Sequence, residues 1–256
     1  MTLSLWRLGA SILFVLASAL AVWEFAPASL VGLLIERASA NRLTLVGASG
    51  RLRDGRGTLT ARSDGARVSI AWTVDAKDLA AARLAGTLRV GAARATRFAA
   101  TFDSLEFGRI DIALPAALVA EAIGAYGGYK IGGTAALRSE HVLLQRDSAY
   151  TRLTLEWTNA ASGLVDVAPL GSYVANIEVF AGIGTISVHT KEGPLLLDGT
   201  GRWSQARTAL ALNARASGER AELLKAWLRA MTPEQPDGVF RFVWPARAAH
   251  QRGPNS

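Results

Sequence analysis

The chain contains no cysteine, which excludes a disulfide framework, a cysteine-based metal site and a thiol nucleophile. Histidine is also scarce, because only His141, His189 and His250 occur in the 256 residues. They lie far apart, and none of them belongs to a pair with the close spacing of a metal-binding motif. These absences argue against a metal-dependent or thiol-dependent enzyme, and we expect no metal site.

Lysine is rare too, so arginine supplies nearly all of the 28 basic residues and of the net charge of +7. A basic protein can bind nucleic acid or an anionic membrane surface. The arginines are scattered singly, however, with acidic residues between them, and neither a dense basic run nor an aromatic RNA-binding signature occurs. We therefore expect no nucleic-acid partner.

Catalytic and phosphate-binding motifs are missing as well. The chain has no Gly-x-Ser-x-Gly sequence, and in Asp198–Gly201 a glycine separates the aspartate from the threonine, unlike in an aspartic protease. Gly182–Gly184 lacks a third glycine, and Lys130 lies between two glycine pairs that do not form a P-loop. We assign no catalytic residue and no cofactor, and we do not expect an enzyme.

One uncharged hydrophobic segment occupies residues 8–23. It is slightly shorter than the roughly 20 residues that cross a bilayer, but Arg7 can extend towards the headgroups. Because Arg7 precedes the segment and Glu24 follows it, the positive-inside rule places the N-terminus in the cytoplasm. We predict a single-pass anchor in a bacterial inner membrane, with the main domain in the periplasm. The predicted anchor residues are Leu8, Ile12, Leu13, Phe14, Val15, Leu16, Leu20, Val22 and Trp23.

A cleaved signal peptide is the alternative interpretation of this segment. Ala17–Ala19 and Ala19–Ala21 both have the small-x-small form that a signal peptidase requires. Both interpretations place the rest of the chain outside the cytoplasm.

The dipeptide Gly-Thr recurs along the exported part. It begins at Gly57, Gly86, Gly133, Gly184 and Gly199, and an alternating pattern follows each time. A glycine followed by a β-branched residue and alternation is typical of the start of a strand. The recurrence predicts a long antiparallel sheet that is built from similar units.

Strand, short helix and strand follow one another three times in this pattern. The helices are predicted from Asp75 through Ala82, over Ala116–Ile123 and over Glu219–Met231, and Asp54-Gly55, Asp64-Gly65 and Asp237-Gly238 are predicted turns. Further short strands are expected between the second and third units, at 152–157, 174–180, 183–189 and 195–203.

The predicted fold class is mainly β: one N-terminal transmembrane helix, then an elongated, curved, mostly antiparallel sheet with a few short helices. Leu30, Leu33 and Leu34 have helical spacing, which predicts a short helix that lies against the membrane or against the sheet. The predicted segments are a cytoplasmic start (1–7), the anchor (8–23), a juxtamembrane segment (24–41), the periplasmic β-rich domain (42–244) and a disordered tail (245–256).

Four tryptophans lie at or near the ends of predicted strands: Trp72, Trp157, Trp203 and Trp244. One interpretation is that they close the core where strands meet helices. The other is that some of them line an apolar groove, because one face of a curved sheet needs a covering.

Three stretches carry a resemblance to a known family. Val46–Gly57 looks like a glycine-bounded hairpin motif, Val68–Leu79 looks like a segment with a central tryptophan, and Gly193–Trp203 is similar to a "G-x-L-x-L-x-G-x-G-x-W" motif. In this order and behind one membrane segment, they resemble the type II secretion system protein N family. Arg53 stands where that family usually has tryptophan, and Ala76 where it usually has proline.

The resemblance implies an accessory inner-membrane component of the type II secretion machine, which exports folded proteins across the outer membrane. It implies a scaffold whose partners are other inner-membrane subunits of the machine and the outer-membrane secretin. A rival hypothesis is an AsmA-like lipid carrier with an acyl chain in a concave groove, lined from Val68–Val74, Leu84–Val90 and Leu195–Leu197. A periplasmic enzyme is the third hypothesis, and it requires a cleft that gathers three or more polar side chains.

Overall fold

The computed structural model of this protein describes residues 25–75, 82–124, 130–146, 148–204 and 208–244. The chain divides into two compact units. The first unit comprises Met1–Phe102 and Ala117–Gly128, and the second comprises Asp103–Ala116 and Tyr129–Ser256.

The first unit contains five antiparallel strands in sequential order, one helix that packs on them and most of a second helix that comes later in the chain. Alternation of apolar and polar residues gives each strand an apolar side, and these sides lie on the same face of the sheet. The elements are α1 (Ser29–Ala38), β1 (Leu43–Gly50), β2 (Asp54–Ala61), β3 (Arg67–Asp75), β4 (Leu84–Val90) and β5 (Thr96–Ala100).

The second unit contains nine strands. Two short strands both pair with different parts of the long strand β8, and from there each strand pairs with the next along the chain. The elements are β6 (Ser104–Phe107), β7 (Ile110–Pro115), β8 (Gly132–Gln145), β9 (Ala149–Ala161), β10 (Gly171–Phe180), β11 (Ile183–Glu192), β12 (Leu195–Trp203), β13 (Thr208–Ala216), α3 (Ala221–Arg229) and β14 (Phe240–Trp244). The helix α2 (Ala116–Ala122) follows β7 in the chain and, apart from Ala116, belongs to the first unit.

The prediction of a mainly antiparallel β fold with a few short helices is confirmed. The predicted helices near residues 116–123 and 219–231 are present as α2 and α3, and the juxtamembrane helix is present as α1. The predicted helix after Asp75 falls on residues 76–81, outside the described residues. Elongation and curvature remain predictions.

Gly-Thr begins a strand at some of the predicted positions but not at all of them. Gly133 and Gly184 are second residues of β8 and β11, whereas Gly57 and Gly199 lie in the middle of β2 and β12. At these two internal positions the glycine provides space: a Cβ at Gly57 would lie 2.8 Å from a Leu45 methyl, and one at Gly199 would lie 2.8 Å from Leu212. The prediction was therefore wrong there, because the absence of a side chain serves packing on the apolar face.

The predicted turn at Asp54-Gly55 is also wrong, because β2 already begins at Asp54. The turn comprises residues 51–53, and the Arg51 amide donates to the Asp54 carbonyl at 2.7 Å. Gly55 is paired with Gly50 in the sheet, and a Cβ there would lie 2.5 Å from the Trp72 ring. Gly55 therefore belongs to β2, where the absence of a side chain leaves room for the Trp72 ring.

Two separate hydrophobic cores result. In the first unit, Ala28, Ile70 and Trp72 are buried, and residues of α1 and of four strands pack around them. In the second unit, Leu224 and Leu228 of α3 are buried against Phe240 and neighbouring strands. Each core lies where a helix covers the apolar face of its sheet.

Candidate functional site

The predicted anchor residues Leu8, Ile12, Leu13, Phe14, Val15, Leu16, Leu20, Val22 and Trp23 all precede Phe25, where the described residues begin. Within the part of the chain that the structure describes, no helix has the length and hydrophobicity to cross a bilayer.

The second unit has an apolar sheet face that α3 covers only at one end. Two neighbouring rows of directly paired residues on this face are almost entirely apolar, and we call them the apolar strip. Their side chains share one face because paired residues point to the same side and the side-chain period is two. The first row is Leu155, Ala175, Val188, Gly199, Leu212 and Phe242, and the second is Leu153, Ile177, Ile186, Gly201, Leu210 and Trp244.

Most residues of the apolar strip are half-buried, and Trp244 is 61% exposed. Side chains of neighbouring strands fill the space above the glycines of the strip, since a Cβ at Gly201 would lie 2.8 Å from both Ile186 and Leu210. The strip is thus a continuous hydrocarbon surface across six strands, and it retains contact with solvent.

The covered end of this face is closed by α3 and by the segment that precedes β10. Tyr173 is 5% exposed there, and its hydroxyl donates to the carbonyl of Leu170 or Leu195, at 3.1 and 3.0 Å. Burial raises the pKa of the Tyr173 phenol well above its ordinary value. Trp157 packs 5.9 Å from the Tyr173 ring and donates its Nε1–H to the Gly132 carbonyl at 2.9 Å.

The opposite face of the same strands is polar. His189, Asp198, Asn213 and Arg241 are successive partners on β11 to β14, and they form one cross-strand row. Arg241 Nε lies 3.3 Å from Asn213 Oδ1 and donates to it. We call the depression around this row the polar groove; Thr190, Leu196, Leu197, Arg215, Asp237 and Val239 complete its lining.

The polar groove gathers more than three polar side chains, so it meets the requirement stated above for the hypothesis of a periplasmic enzyme. Its acids and bases alternate along an open sheet surface, and His189, Asp198 and Arg241 are all exposed. Among the described residues, no group of three or more His, Asp or Glu side chains could hold a metal ion. Alternating charge of this kind suits contacts with a polar or charged partner surface.

An ion-pair network continues the polar face onto β8 and β9. Glu156 accepts hydrogen bonds from Lys191 and from Arg138, whose Nη1 lies 3.3 Å from Glu156 Oε2. Lys191, and to a smaller degree Arg138, hold the pKa of the Glu156 carboxyl below its ordinary value. The remaining histidine of the described part, His141, lies 3.0 Å from Glu106 and belongs to another exposed pair.

The strand β14 forms an edge of the second sheet. It pairs with β13 on one side. On the other side, Glu234 forms an antiparallel bridge with Phe240, and the Thr232 hydroxyl donates to the Arg241 carbonyl at 3.2 Å, so the described contacts lie at the beginning of the strand. Backbone groups alternate in direction along a strand with a period of two residues. Val243 therefore directs its backbone N–H and C=O to the same outer side as Arg241 does. Among the described residues, this end of β14 has no strand beyond it.

The four tryptophans divide between the two interpretations. Trp72 is 7% exposed and its Nε1–H donates to the Leu52 carbonyl at 2.9 Å, so Trp72, like Trp157, closes a core. Trp203 lies over Gly184, where a Cβ would come within 2.0 Å of the ring. Trp244 continues the apolar strip. Sequence alternation indicated the apolar residues of the strip, but pairing register was needed to align them.

The proposed lipid-lining residues are largely covered. Val68, Ile70, Trp72 and Val74 belong to the core of the first unit, and Leu195 is buried in the core of the second. An acyl chain on these residues would have to displace a packed helix. The apolar strip, which sequence reasoning did not single out as a surface, is the more open hydrocarbon face.

Comparison with models of protein families matches residues 41–243 to the model described as type II secretion system (T2SS), protein N. None of the curated proteins and none of the solved structures that were compared matches the chain. The matched region spans most of the chain and covers the strands of both units up to residue 243.

Proposed function

Because the chain belongs to the type II secretion system protein N family, we propose that it is a scaffold of the secretion machine, held at the bacterial inner membrane. In this proposal residues 8–23 form a single-pass anchor and the strands of both units lie in the periplasm. The scaffold contacts other inner-membrane subunits and the outer-membrane secretin, and it serves export of folded proteins across the outer membrane. The family match over residues 41–243 carries the proposal.

Two neighbouring features of the second unit support a docking role. The outer side of β14 at Val243 offers backbone groups to which an extended segment of a partner can add as a strand. The polar groove lies beside it and presents His189, Arg215 and Arg241 together with Asp198 and Asp237. Backbone pairing would supply affinity, and the charged side chains would select the partner.

A photocrosslinking amino acid at Val243 in living cells tests this proposal. Val243 and Thr200 are exposed residues of the same cross-strand row, but Thr200 lies two strands inside the edge. We expect Val243 to crosslink to secretion subunits or to the secretin, and Thr200 to give far less product. If neither position captures a secretion subunit in cells that are actively secreting, docking at this edge is wrong.

The apolar strip favours a second candidate function, that of an AsmA-like lipid-handling protein. A half-exposed hydrocarbon face across six strands suits an acyl chain, and solvent-exposed apolar patches of such extent usually have an occupant. Lipid would lie against Leu153, Ile177, Ile186 and Leu210, where no described helix lies, and not on the residues beneath α1.

Lipid extraction from the purified full chain separates this candidate from the scaffold. We expect a lipid carrier to retain stoichiometric phospholipid that is lost in Ile186→Asp and kept in Ser187→Asp, since Ser187 is the exposed neighbour on the opposite face. Circular dichroism of both variants controls for folding. Recovery of the wild-type chain without phospholipid would rule out the carrier and leave the scaffold proposal untouched.

A further inference from the structure

The helix α1 is apolar on two opposite sides. On its inner side, Ala28, Val31 and Ile35 pack with Ile70 and Trp72 of the first sheet. Gly32 is buried on the same side, and a Cβ there would lie 3.4 Å from Leu45, so the helix approaches the sheet closely. This inner side already gives the sheet of the first unit its covering.

The outer side of α1 is apolar as well, although a helix on a soluble protein normally presents polar residues to water. Leu30, Leu33 and Leu34 share this side by their spacing and are 37%, 57% and 62% exposed. Phe25, just before the helix, is 76% exposed. A helix with two apolar sides requires a second apolar partner, and among the described residues nothing covers the outer side.

The chain that leads into α1 indicates what this partner is. The hydrophobic segment 8–23 ends two residues before Phe25. Ser29 lies six residues after residue 23, and a fully extended chain of that length spans at most about 22 Å. The polar interfacial layer on each side of a bilayer is about 5–8 Å thick, so a chain that leaves the hydrocarbon core at residue 23 can start α1 within that layer and at most about 17 Å beyond it.

The charges at the two ends of the outer side agree with a phospholipid surface. Arg37 is exposed in the last turn of α1, on the same side as the leucines. Arg51 is exposed as well, and its backbone forms an isolated β-bridge with Pro27, which lies just before α1. An apolar helix side flanked by arginines is the arrangement of helices that lie in the interface of anionic membranes.

We propose that α1 is an interfacial helix whose outer side, formed by Leu30, Leu33 and Leu34, lies at the headgroup–acyl boundary of the inner membrane, together with the exposed Phe25 that precedes it. Its inner side holds the first sheet, so α1 joins that sheet to the bilayer surface directly. This inference rests on the anchor in the proposed function, but it adds a second and independent membrane contact. The occupant is phospholipid, and not a second copy of the chain or a helix of another subunit.

Single-cysteine spin labels test the proposal cleanly because the chain has no cysteine of its own. The full chain is placed in nanodiscs of phosphatidylcholine and phosphatidylglycerol, with Leu34→Cys on the outer side of α1. Val46→Cys is the matched control: Val46 is 56% exposed in the same unit, and as the neighbour of Leu45 it points away from α1. We expect the label at position 34 to be several-fold more accessible to oxygen relative to a water-soluble nickel reagent than the label at 46.

A third label, Leu16→Cys, reports on the anchor itself. If the label at position 16 is accessible to oxygen while the label at position 34 is accessible mainly to the nickel reagent, the proposal of an interfacial helix is wrong and the anchor is supported. Water-like access at both positions would overturn the anchor and this inference together. Protection of position 34 from both reagents would mean that protein covers α1, which also overturns the assignment to lipid.

Discussion

In the first unit α1 lies on the apolar face of the sheet and Trp72 is 7% exposed, whereas in the second unit α3 covers one end of that face and Trp244 is 61% exposed. The strands of both units have the same alternation, and in both units glycines lie beneath large side chains of a neighbouring strand. The difference therefore lies in the covering and not in the strands. It indicates that the first face serves mainly stability, while the second remains open for a partner or a ligand.

The largest expected effect comes from replacing one tryptophan on each of the two faces by alanine. Trp72→Ala removes a buried ring from the first core and should lower the free energy of unfolding by about 3–5 kcal/mol. Trp244→Ala removes an exposed ring and should change it by no more than about 0.5 kcal/mol. Urea denaturation followed by circular dichroism measures both. Equal losses would refute the difference in covering.

The covered end of the second face should depend strongly on α3. Leu224→Ala removes a side chain with no exposed surface and should cost about 2–5 kcal/mol in the free energy of unfolding. Leu223, its neighbour on the same helix, is 58% exposed, so Leu223→Ala is the matched control and should be nearly neutral. The same urea titration applies, and a large loss in the control would mean that Leu223 is covered in solution.

Replacing a buried glycine by alanine should change the folding stability by a smaller amount, and the sign of the change should differ between a strand and a helix. Gly184→Ala would place a methyl 2.0 Å from the Trp203 ring, so we expect overpacking to cost about 1–3 kcal/mol of folding stability. Gly32→Ala in α1 meets Leu45 at an ordinary 3.4 Å and should stabilise the protein by up to about 1 kcal/mol through helix propensity. Thermal melts of the two variants should therefore move in opposite directions. A shift to higher temperature in Gly184→Ala would contradict the packing of Trp203.

The smallest effect concerns Tyr173 at the covered end of the second face. Tyr173→Phe loses one hydrogen bond and should cost about 0.5–1.5 kcal/mol near neutral pH. Because burial raises the phenol pKa in the folded state, the stability from the neutral phenol is complete below the ordinary pKa of about 10 and is lost as the pH rises above it. The difference between wild type and variant should thus shrink in alkaline urea titrations. A constant difference would show that Tyr173 reaches solvent.

Sequence patterns predicted most of the architecture because alternation and helical spacing are local properties. They located α1, α2 and α3 and most strands of both units, and they indicated turns at Asp64-Gly65 and Asp237-Gly238. Both turns are present: Gly65 and Gly238 have positive φ, and each aspartate accepts a hydrogen bond from the amide two residues on. The resemblance to type II secretion system protein N, which rested on spaced glycines and tryptophans, agrees with the family match.

The errors have one physical origin, which is packing between strands. Gly57, Gly199 and Gly55 were taken for strand starts or a turn because glycine usually has those roles. Their roles depend on Leu45, Leu212 and Trp72, which approach from neighbouring strands. No local pattern in the sequence contains this information.

By itself, the sequence determined that the chain forms strands with one apolar side, that short helices follow some of them, and that a hydrophobic segment precedes the whole. Each of these follows from the order of residues within a short window. The tertiary structure decided which apolar side chains form one continuous surface and which of them are covered. Pairing register and helix placement fix that outcome, since they bring together residues such as Val31 and Trp72, or Leu153 and Leu210, that are distant in the chain.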